Sequence, residues 1–168
     1  MLKENDNEYA AKAKRVRLLL MDCDGVMTDG RIYFSANGEE MKVFDVKDGE
    51  GLSQWIKAGR RSGIITGRDA EAILKKRCGE LGIEFLRVRS KDKLKDLEEI
   101  LNAAGVSSDE TAYIGDDVGD IDVMKSVGFP VAVADAVEKT KQHAIYITQK
   151  RGGRGAVREV IDLLLAVQ

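Results

Sequence analysis

The sequence has few of the residues that are typical of secreted, zinc-binding or membrane proteins. Its 168 residues include two cysteines, one histidine, one proline and one tryptophan. Two cysteines form no disulfide framework, which favours a reducing cytoplasm, and a single histidine excludes a histidine-rich zinc site. The apolar runs are too short for a membrane span or a signal-peptide core. A net charge of −2 gives no electrostatic case for binding nucleic acid or an anionic membrane.

Short apolar runs alternate with helical patterns along the chain, as in a parallel sheet built from βα units. Linkers, internal repeats and low-complexity segments are absent, so we predict one domain over residues 1–168, with a charged, frayed or loosely helical extension at 1–15. The predicted fold class is α/β, a three-layer, doubly wound parallel sheet. The predicted strands are 16–21, 62–65, 84–88, 111–114, 130–133 and 144–147, and the predicted helices are 50–58, 69–81, 92–104, 118–126, 136–141 and 155–166.

The segment 31–46 departs from this alternation and is predicted to be a β-hairpin. Asn37-Gly38 is a strong turn signal between two extended patterns. Apolar side chains fall on both faces, since Ile32 and Phe34 point one way and Tyr33 the other. An isolated two-stranded hairpin is marginal in water, so this one either packs on its own domain or is covered by another subunit.

The most informative motif, Asp22-Cys23-Asp24-Gly25, follows the first predicted strand directly. Two carboxylates one residue apart leave the end of a buried strand, and glycine allows the backbone to turn tightly there. Ligands of open α/β sheets bind at the carboxyl ends of the strands, where one acid could attack and the other could handle a proton. A lone Asp-x-Asp would otherwise be interpreted as a turn or a helix cap.

Three further polar groups fall at predicted strand ends, and in a parallel sheet all of them converge on one edge. Taken singly, each has a structural alternative as a helix cap or a solvated side chain. Together they form the parts of a phosphoryl-transfer site, in which a carboxylate cluster holds Mg2+ and a hydroxyl and an ammonium hold phosphate oxygens. The groups are Thr66 with Gly67, Lys93 at a helix start, and Asp116, Asp117 and Asp120.

The order of these motifs resembles the haloacid dehalogenase-like superfamily of phosphotransferases over most of the chain. The resemblance implies that Asp22 attacks phosphorus to form an aspartyl-phosphate, and that Asp24 acts as general acid and then general base. It implies that Mg2+ binds the carboxylates of Asp22 and Asp116 and the backbone carbonyl of Asp24. Thr66, Gly67 and Lys93 would hold the phosphate, while Asp117 and Asp120 orient metal-bound waters or bind the metal directly.

A closer resemblance is to the capless 3-deoxy-D-manno-octulosonate 8-phosphate phosphatases, which serve lipopolysaccharide synthesis. The segments that carry it are 27–30, 44–49, 64–68, 113–117 and 152–159. It implies a phosphorylated acidic sugar as substrate, and a homotetramer whose hairpins form a central barrel and whose active sites lie at subunit interfaces. In that family the C-terminal segment covers a neighbour's site, a role that here falls to 150–155.

The same resemblance suggests substrate-binding residues around the phosphate site. Arg68 could pair with the carboxylate of the sugar or form a surface ion pair. Lys47 and Asp48 could line the mouth of the site, although Asp48 could equally cap the following helix. Arg154 belongs to the covering segment.

Three alternative functions remain at this stage. A nine-carbon ulosonate 9-phosphate is a second candidate substrate on the same scaffold. A receiver-like phospho-acceptor module uses similar residues, but there the acidic pair comes early and the phospho-acceptor stands alone. An inactive oligomeric scaffold is the third alternative, although every catalytic position is filled.

Overall fold

The computed structural model describes residues 6–167. Its main feature is a six-stranded, all-parallel sheet, accompanied by a separate antiparallel hairpin. The strands of the sheet are β1 (Leu18–Met21), β4 (Arg61–Ile65), β5 (Phe85–Arg87), β6 (Thr111–Gly115), β7 (Phe129–Ala132) and β8 (Tyr146–Ile147), and those of the hairpin are β2 (Tyr33–Ser35) and β3 (Gly38–Met41). The strand order is β5-β4-β1-β6-β7-β8.

Helices connect the strands and cover the sheet. They are α1 (Asp6–Arg15), α2 (Val46–Lys57), α3 (Glu71–Leu81), α4 (Lys93–Ala104), α5 (Ile121–Ser126), α6 (Glu138–Lys141) and α7 (Ala156–Ala166), with 3-10 turns at Ser108–Glu110 and Val118–Asp120. α2 packs on α7 and α3, whereas α4 packs on α5. All four residues of β1 are buried, so both faces of the sheet are covered at its centre. The predicted α/β fold is confirmed.

β1 and its two neighbours, β4 and β6, end within one residue of one another along the sheet. Met21 lies beside Ile64 of β4 and Ile114 of β6. From β1 the chain runs outward through β4 and β5, and then returns to β6 on the other side, so the strand order reverses beside β1. Such a reversal places the crevice of an open sheet at the carboxyl ends of these strands.

The N-terminal extension is helical and packs on the sheet through Tyr9. From Asp6 onward it forms a helix, and the buried ring of Tyr9 lies 5.3 Å from that of Phe129 and 6.1 Å from that of Tyr146. Of the two alternatives expected for this extension, the helical one describes residues 6–15, and the aromatic contacts stabilise the helix. Residues 1–5 of the predicted extension lie outside the described part of the chain.

Helix α2 begins four residues before its predicted start at residue 50. Its N-cap is Asp45, whose carboxylate accepts hydrogen bonds from the amides of Lys47 and Asp48. Asp48 is therefore a residue of the first turn and not the cap. Gly49 and Gly51 lower the helix propensity of this turn, which is why the apolar pattern misses it.

The predicted hairpin is present, with its charged and apolar residues on unexpected sides. Phe34 is 72% exposed, and Met41 and Val43 are about half exposed, while Lys42 between them is buried. The hairpin thus turns apolar side chains to the surface and a charged one inward, the reverse of an ordinary surface strand.

Across residues 6–167 the structure contains no helix of the length and apolar character that crossing a membrane requires.

Candidate active site

The loop after β1 carries the first two carboxylates. The amide of Asp22 donates to the carbonyl oxygen of Ile114 (3.0 Å), which ties the end of β1 to β6. The carbonyl oxygen of Cys23 then accepts from the amides of Met27 and Thr28 and closes a tight turn. The amide of Cys23 donates to Oδ1 of Asp22 (2.6 Å), so that carboxylate is oriented by its own backbone.

Lys93 bridges two of the carboxylates. It is the first residue of α4, and its Nζ lies 2.9 Å from Oδ2 of Asp22 and 2.8 Å from Oδ1 of Asp120. Burial alone would lower the pKa of Lys93, but the two carboxylates outweigh it and raise that pKa above its usual value. The lysine is therefore charged, and it lies where it could hold an anionic ligand beside Asp22.

Asp120 is buried, and each of its two carboxylate oxygens accepts two hydrogen bonds. Oδ1 accepts from Nζ of Lys93 and from the hydroxyl of Tyr113 (2.7 Å). Oδ2 accepts from the amides of Asp116 (3.0 Å) and Asp117 (3.3 Å). Four donors match the acceptor capacity of one carboxylate, so Asp120 orients the loop and Lys93. Tyr113 is a contributor that the sequence did not reveal, because a tyrosine inside a buried strand reads as an apolar core residue.

The carboxylates are arranged as a cation site would require. One oxygen each from Asp22, Asp116 and Asp120 lie within 4.8 Å of one another. Oδ1 of Asp116 is buried and has no hydrogen-bond partner among residues 6–167. Burial, Asp120 and Asp22 together raise the pKa of Asp116 to about 8. Burial also raises the pKa of Asp22 to about 6, against the opposing effect of Lys93. Hard oxygen donors and an unused buried oxygen fit a hard divalent cation such as Mg2+.

Asp117 differs from its neighbours at this edge. Its Oδ1 accepts from the amide of Val118 (2.7 Å), and its side chain caps the following 3-10 turn. In this structure Asp117 therefore has the helix-capping role that the sequence left open as an alternative.

Position 25 must be glycine because the side chain of Asp116 lies against its Cα. Its φ of +91° lies in the left-handed region, and a Cβ at this position would lie 2.0 Å from Oδ2 of Asp116. Only glycine allows both the backbone conformation and this contact.

Thr66 and Gly67 follow β4 at the same edge. Thr66 is buried, and its backbone is fixed on both sides, because its amide donates to the carbonyl oxygen of Arg87 and its carbonyl oxygen accepts from the amide of Ser90. A cavity of about 660 Å³ opens beside Gly67 and Lys93 and is also lined by Ser90 and Gly119. Asp22, Asp24 and Asp116 are not among the residues that line this cavity.

Asp24 is held by residues of the hairpin. Its Oδ1 lies 2.5 Å from Nζ of Lys42, which also contacts Oε1 of Glu39 at 2.6 Å. Nε of Arg68 lies 3.1 Å from Oε2 of Glu39 and 3.9 Å from Oδ2 of Asp24. Neither Lys42 nor Glu39 stands out in the sequence as a site residue. The one signal in the sequence is the charged Lys42 between the apolar Met41 and Val43. It identifies a buried lysine only when the apolar side chains are known to face the surface.

Comparisons with known proteins agree with this geometry. Residues 82–161 match the family of haloacid dehalogenase-like hydrolases. The chain is 46% identical to the 3-deoxy-D-manno-octulosonate 8-phosphate phosphatase KdsC of Escherichia coli strain K12 over 161 residues, which cover 96% of this chain and 85% of the relative. The chain belongs to the 3-deoxy-D-manno-octulosonate 8-phosphate phosphatase family of haloacid dehalogenase-like hydrolases.

Solved structures of this phosphatase family superpose closely on the chain. The crystal structure of the Yersinia pestis phosphatase has a TM-score of 0.93 at 45% identity and covers 96% of this chain and 87% of its own. The Moraxella catarrhalis phosphatase, solved with a magnesium ion, a phosphate ion and a KDO molecule, has a TM-score of 0.93 at 40% identity and covers 98% of this chain and 94% of its own.

Two substrate-binding residues expected from the phosphatase family lie away from Lys93. Lys47 and Arg154 share a different cavity, of about 410 Å³, with Lys150 and Arg158. Arg154 also lies 3.3 Å from Oδ2 of Asp29. The structure brings these two residues to each other, but not to the cavity beside Lys93.

The expectation that Asp48 lines the mouth of the phosphatase site is corrected. Its side chain is buried, and its two oxygens accept from the amides of Gly155 (3.3 Å) and Arg158 (2.8 Å). Asp48 thus fastens the start of α7 to α2 and has no path to a substrate. Arg68, the fourth expected residue, contacts Glu39 with a half-exposed side chain.

The segment 150–155 packs on its own chain. The amide of Gly153 donates to the carbonyl oxygen of Val26 (2.9 Å), and a Cβ on Gly152 would lie 1.7 Å from the carbonyl oxygen of Gly25. Gly152 and Gly153 thus make close backbone contacts with the loop after Asp24 of their own chain, and the covering of a neighbour's site by this segment stays a prediction.

Proposed function

We propose that this chain is a Mg2+-dependent phosphatase that hydrolyses 3-deoxy-D-manno-octulosonate 8-phosphate to the free sugar acid and phosphate. The observation that carries the proposal is 46% identity to a phosphatase of that name along nearly the whole chain. The arrangement of Asp22, Lys93 and Asp116 at one sheet edge supports it, because it combines a nucleophile, a phosphate-binding cation and a metal-binding carboxylate.

In the first step, a carboxylate oxygen of Asp22 attacks phosphorus, and the bond from phosphorus to the sugar oxygen breaks. Asp24 donates its proton to that leaving oxygen. In the second step a water attacks the phosphorus of the aspartyl-phosphate while Asp24 takes up the proton of the water. The bond from phosphorus to Asp22 then breaks, which returns the carboxylate and releases phosphate.

The remaining residues hold the charges in place. Asp22 and Asp116, with the backbone carbonyl of Asp24, would hold Mg2+, which neutralises the repulsion between a carboxylate and a phosphate. Lys93 and the Thr66–Gly67 turn would hold the phosphate oxygens. We assign Asp120 and Asp117 to positioning, because the oxygens of Asp120 are occupied by four donors and Asp117 caps a turn.

Arg68 is the residue that we assign to the sugar carboxylate. Its contact with Glu39 uses Nε, which leaves the two terminal nitrogens of the guanidinium for a second carboxylate. For Lys47 and Arg154 we propose contact with substrate only across a subunit interface, since both line the cavity that is separate from Lys93.

We further propose a homotetramer assembled through the hairpin, within the cytoplasm, from chains that each form a single domain. The exposed apolar side chains of Phe34, Met41 and Val43 support the assembly, since such a surface is stabilised when it is covered. The free, buried thiols of Cys23 and Cys78 support a reducing compartment.

The substrate assignment is tested by measuring phosphate release from 3-deoxy-D-manno-octulosonate 8-phosphate with and without Mg2+. A nine-carbon ulosonate 9-phosphate and p-nitrophenyl phosphate serve as comparison substrates. Rapid, Mg2+-dependent release that prefers the eight-carbon sugar is expected. A preference for the nine-carbon sugar would change the substrate assignment to that compound. Stable phosphorylation of the protein without turnover would favour a receiver-like module.

The nucleophile is tested by Asp22→Asn. An amide cannot attack phosphorus, so turnover should fall to the background level, a loss of at least about 1000-fold. Asp109→Asn, which changes an exposed carboxylate in the 3-10 turn Ser108–Glu110, is the matched control and should retain full activity. Substantial turnover by folded Asp22→Asn would contradict the assignment.

A further inference from the structure

Lys42 is a charged side chain buried under a surface hairpin. Only 1% of its side chain is exposed, and its Nζ lies between two carboxylates, at 2.5 Å from Oδ1 of Asp24 and 2.6 Å from Oε1 of Glu39. The carboxylates of Asp24 and Glu39, which accept from and pair with the ammonium group, outweigh the effect of burial and hold the pKa of Lys42 above its usual value. The ammonium group is therefore a fixed cation beside Asp24.

Glu39 connects this lysine to a second cation. Its side chain is 5% exposed, and its Oε2 lies 3.1 Å from Nε of Arg68. Asp24, Lys42, Glu39 and Arg68 thus alternate in charge with a formal sum of zero, and Nε of Arg68 lies 3.9 Å from Oδ2 of Asp24, which closes the series. Removing one member would leave an uncompensated buried charge, which is costly.

Stability alone is a weak explanation for this arrangement. Buried ion pairs are often replaced by well-packed apolar side chains without loss of stability, and the apolar residues of this hairpin point the other way. The arrangement does explain how Asp24 is oriented. Lys42 occupies Oδ1, whereas Oδ2 is buried, accepts no hydrogen bond within residues 6–167, and has Nε of Arg68 at the longer distance of 3.9 Å. One oxygen of Asp24 is fixed, and the other is available to the reaction.

We infer that Lys42 and Glu39 are positioning residues for the reaction: Lys42 fixes Asp24, and Glu39 fixes both Lys42 and Arg68. The hairpin then acts directly on catalysis, because it sets the acid–base group and the arginine assigned to the sugar carboxylate in one geometry. This inference rests on the phosphatase function proposed above and deepens it.

Lys42→Met separates positioning from folding by means of two leaving groups. The sugar oxygen needs a proton to leave, whereas p-nitrophenolate leaves readily without one. Without Lys42, the turnover of the sugar phosphate should fall about 10- to 100-fold, because general acid–base catalysis weakens. With p-nitrophenyl phosphate, the phosphoenzyme should still form quickly but hydrolyse slowly, which produces a burst of about one p-nitrophenol per active site.

Glu39→Gln tests the other end of the chain. The KM for the acidic sugar phosphate should rise about 10-fold, because Arg68 loses its orienting contact. The KM for p-nitrophenyl phosphate, which has no carboxylate, should stay unchanged. Lys57→Met, at an exposed position on α2, is the control and should behave as wild type.

The outcomes are distinct. A folded Lys42→Met variant with wild-type rates, or with equal losses on both substrates and no burst, would overturn the inference while leaving the phosphatase function intact. Failure of wild type to release phosphate from any ester would remove the proposed function and, with it, the inference. If Lys42→Met does not fold, Lys42→Gln provides the same comparison with a polar side chain.

Discussion

Gly25 shows how a single missing Cβ shapes the site. Gly25→Ala would force a methyl group against Oδ2 of Asp116, which lies 2.0 Å from the position of the Cβ, and would strain a backbone with φ of +91°. We expect the Mg2+ concentration for half-maximal activity to rise at least about 10-fold, since Asp116 must move. A Mg2+ titration of phosphate release measures this change.

The control is Gly38→Ala in the hairpin turn. Its φ of +106° gives a comparable strain of about 1–2 kcal/mol, but nothing in the described structure lies within 4 Å of its Cβ. This variant should lose stability and keep its Mg2+ dependence. If both glycine variants show the same Mg2+ dependence as wild type, Asp116 is not a metal-binding group.

Some of the site residues can be predicted from the sequence, and others cannot. Asp22, Thr66, Lys93 and Asp116 were predictable as one cluster, because each follows an element whose end is marked by an apolar run. Their roles remain proposals. Glu39, Lys42 and Tyr113 were not predictable, because their partners lie on other elements and depend on which face of a strand is covered. Asp48 was misinterpreted for the same reason, since its partners belong to α7.

At the scale of elements, Asp48 is a pH-dependent link between α2 and α7. Burial raises its pKa from 3.8 to about 6, despite the amides of Arg158 and Gly155. The folded protein therefore binds this proton more tightly than the unfolded chain. The contribution of Asp48 to stability is fully present below about pH 4 and is lost as the pH rises to about 6, by up to about 3 kcal/mol.

Asp48→Asn removes this dependence, because an amide does not titrate. Urea unfolding of both proteins at pH 4 and pH 7 should show wild type losing free energy of unfolding relative to Asp48→Asn at the higher pH. Asp45→Asn, at the N-cap of the same helix, is the comparison variant. Parallel pH profiles for wild type and Asp48→Asn would show that the carboxylate keeps its ordinary pKa.

The order of strands and helices was predictable from apolar runs and glycines, whereas several boundaries were not. α2 was placed too late because Gly49 and Gly51 look like helix breakers. A Cβ on Gly51 would lie 2.8 Å from Cδ of Arg158, so the glycine serves close packing of α2 on α7. α5 begins at Ile121, after the predicted start at 118, because a 3-10 turn held by Asp117 precedes it. Contacts between elements decide such boundaries, and local patterns do not contain them.

For the whole molecule, the exposed hairpin face predicts the assembly. Phe34→Asp should place a charge in the middle of the proposed interface, so the mass measured by light scattering should fall from about four subunits to one. Turnover should fall with it if the active sites lie at subunit interfaces.

Val137→Asp is the control, because it places the same charge at an exposed apolar residue outside the hairpin. It should leave both mass and activity unchanged. A monomeric wild-type protein, or a Phe34→Asp variant of unaltered mass, would contradict the proposed tetramer. The proposed reaction would then have to be carried out by the residues of a single chain.

The contact of Gly152 and Gly153 with the loop around Gly25 also affects the order in which parts of the molecule form during synthesis. During synthesis, the nucleophile loop leaves the ribosome early, yet the backbone that supports it comes much later, as the separation of 125 residues between Asp29 and its partner Arg154 illustrates. Closing such a distant contact is slow compared with forming local turns. The sheet can therefore be largely assembled in a nascent chain that has no working site, and activity should be among the last properties that a newly made molecule acquires.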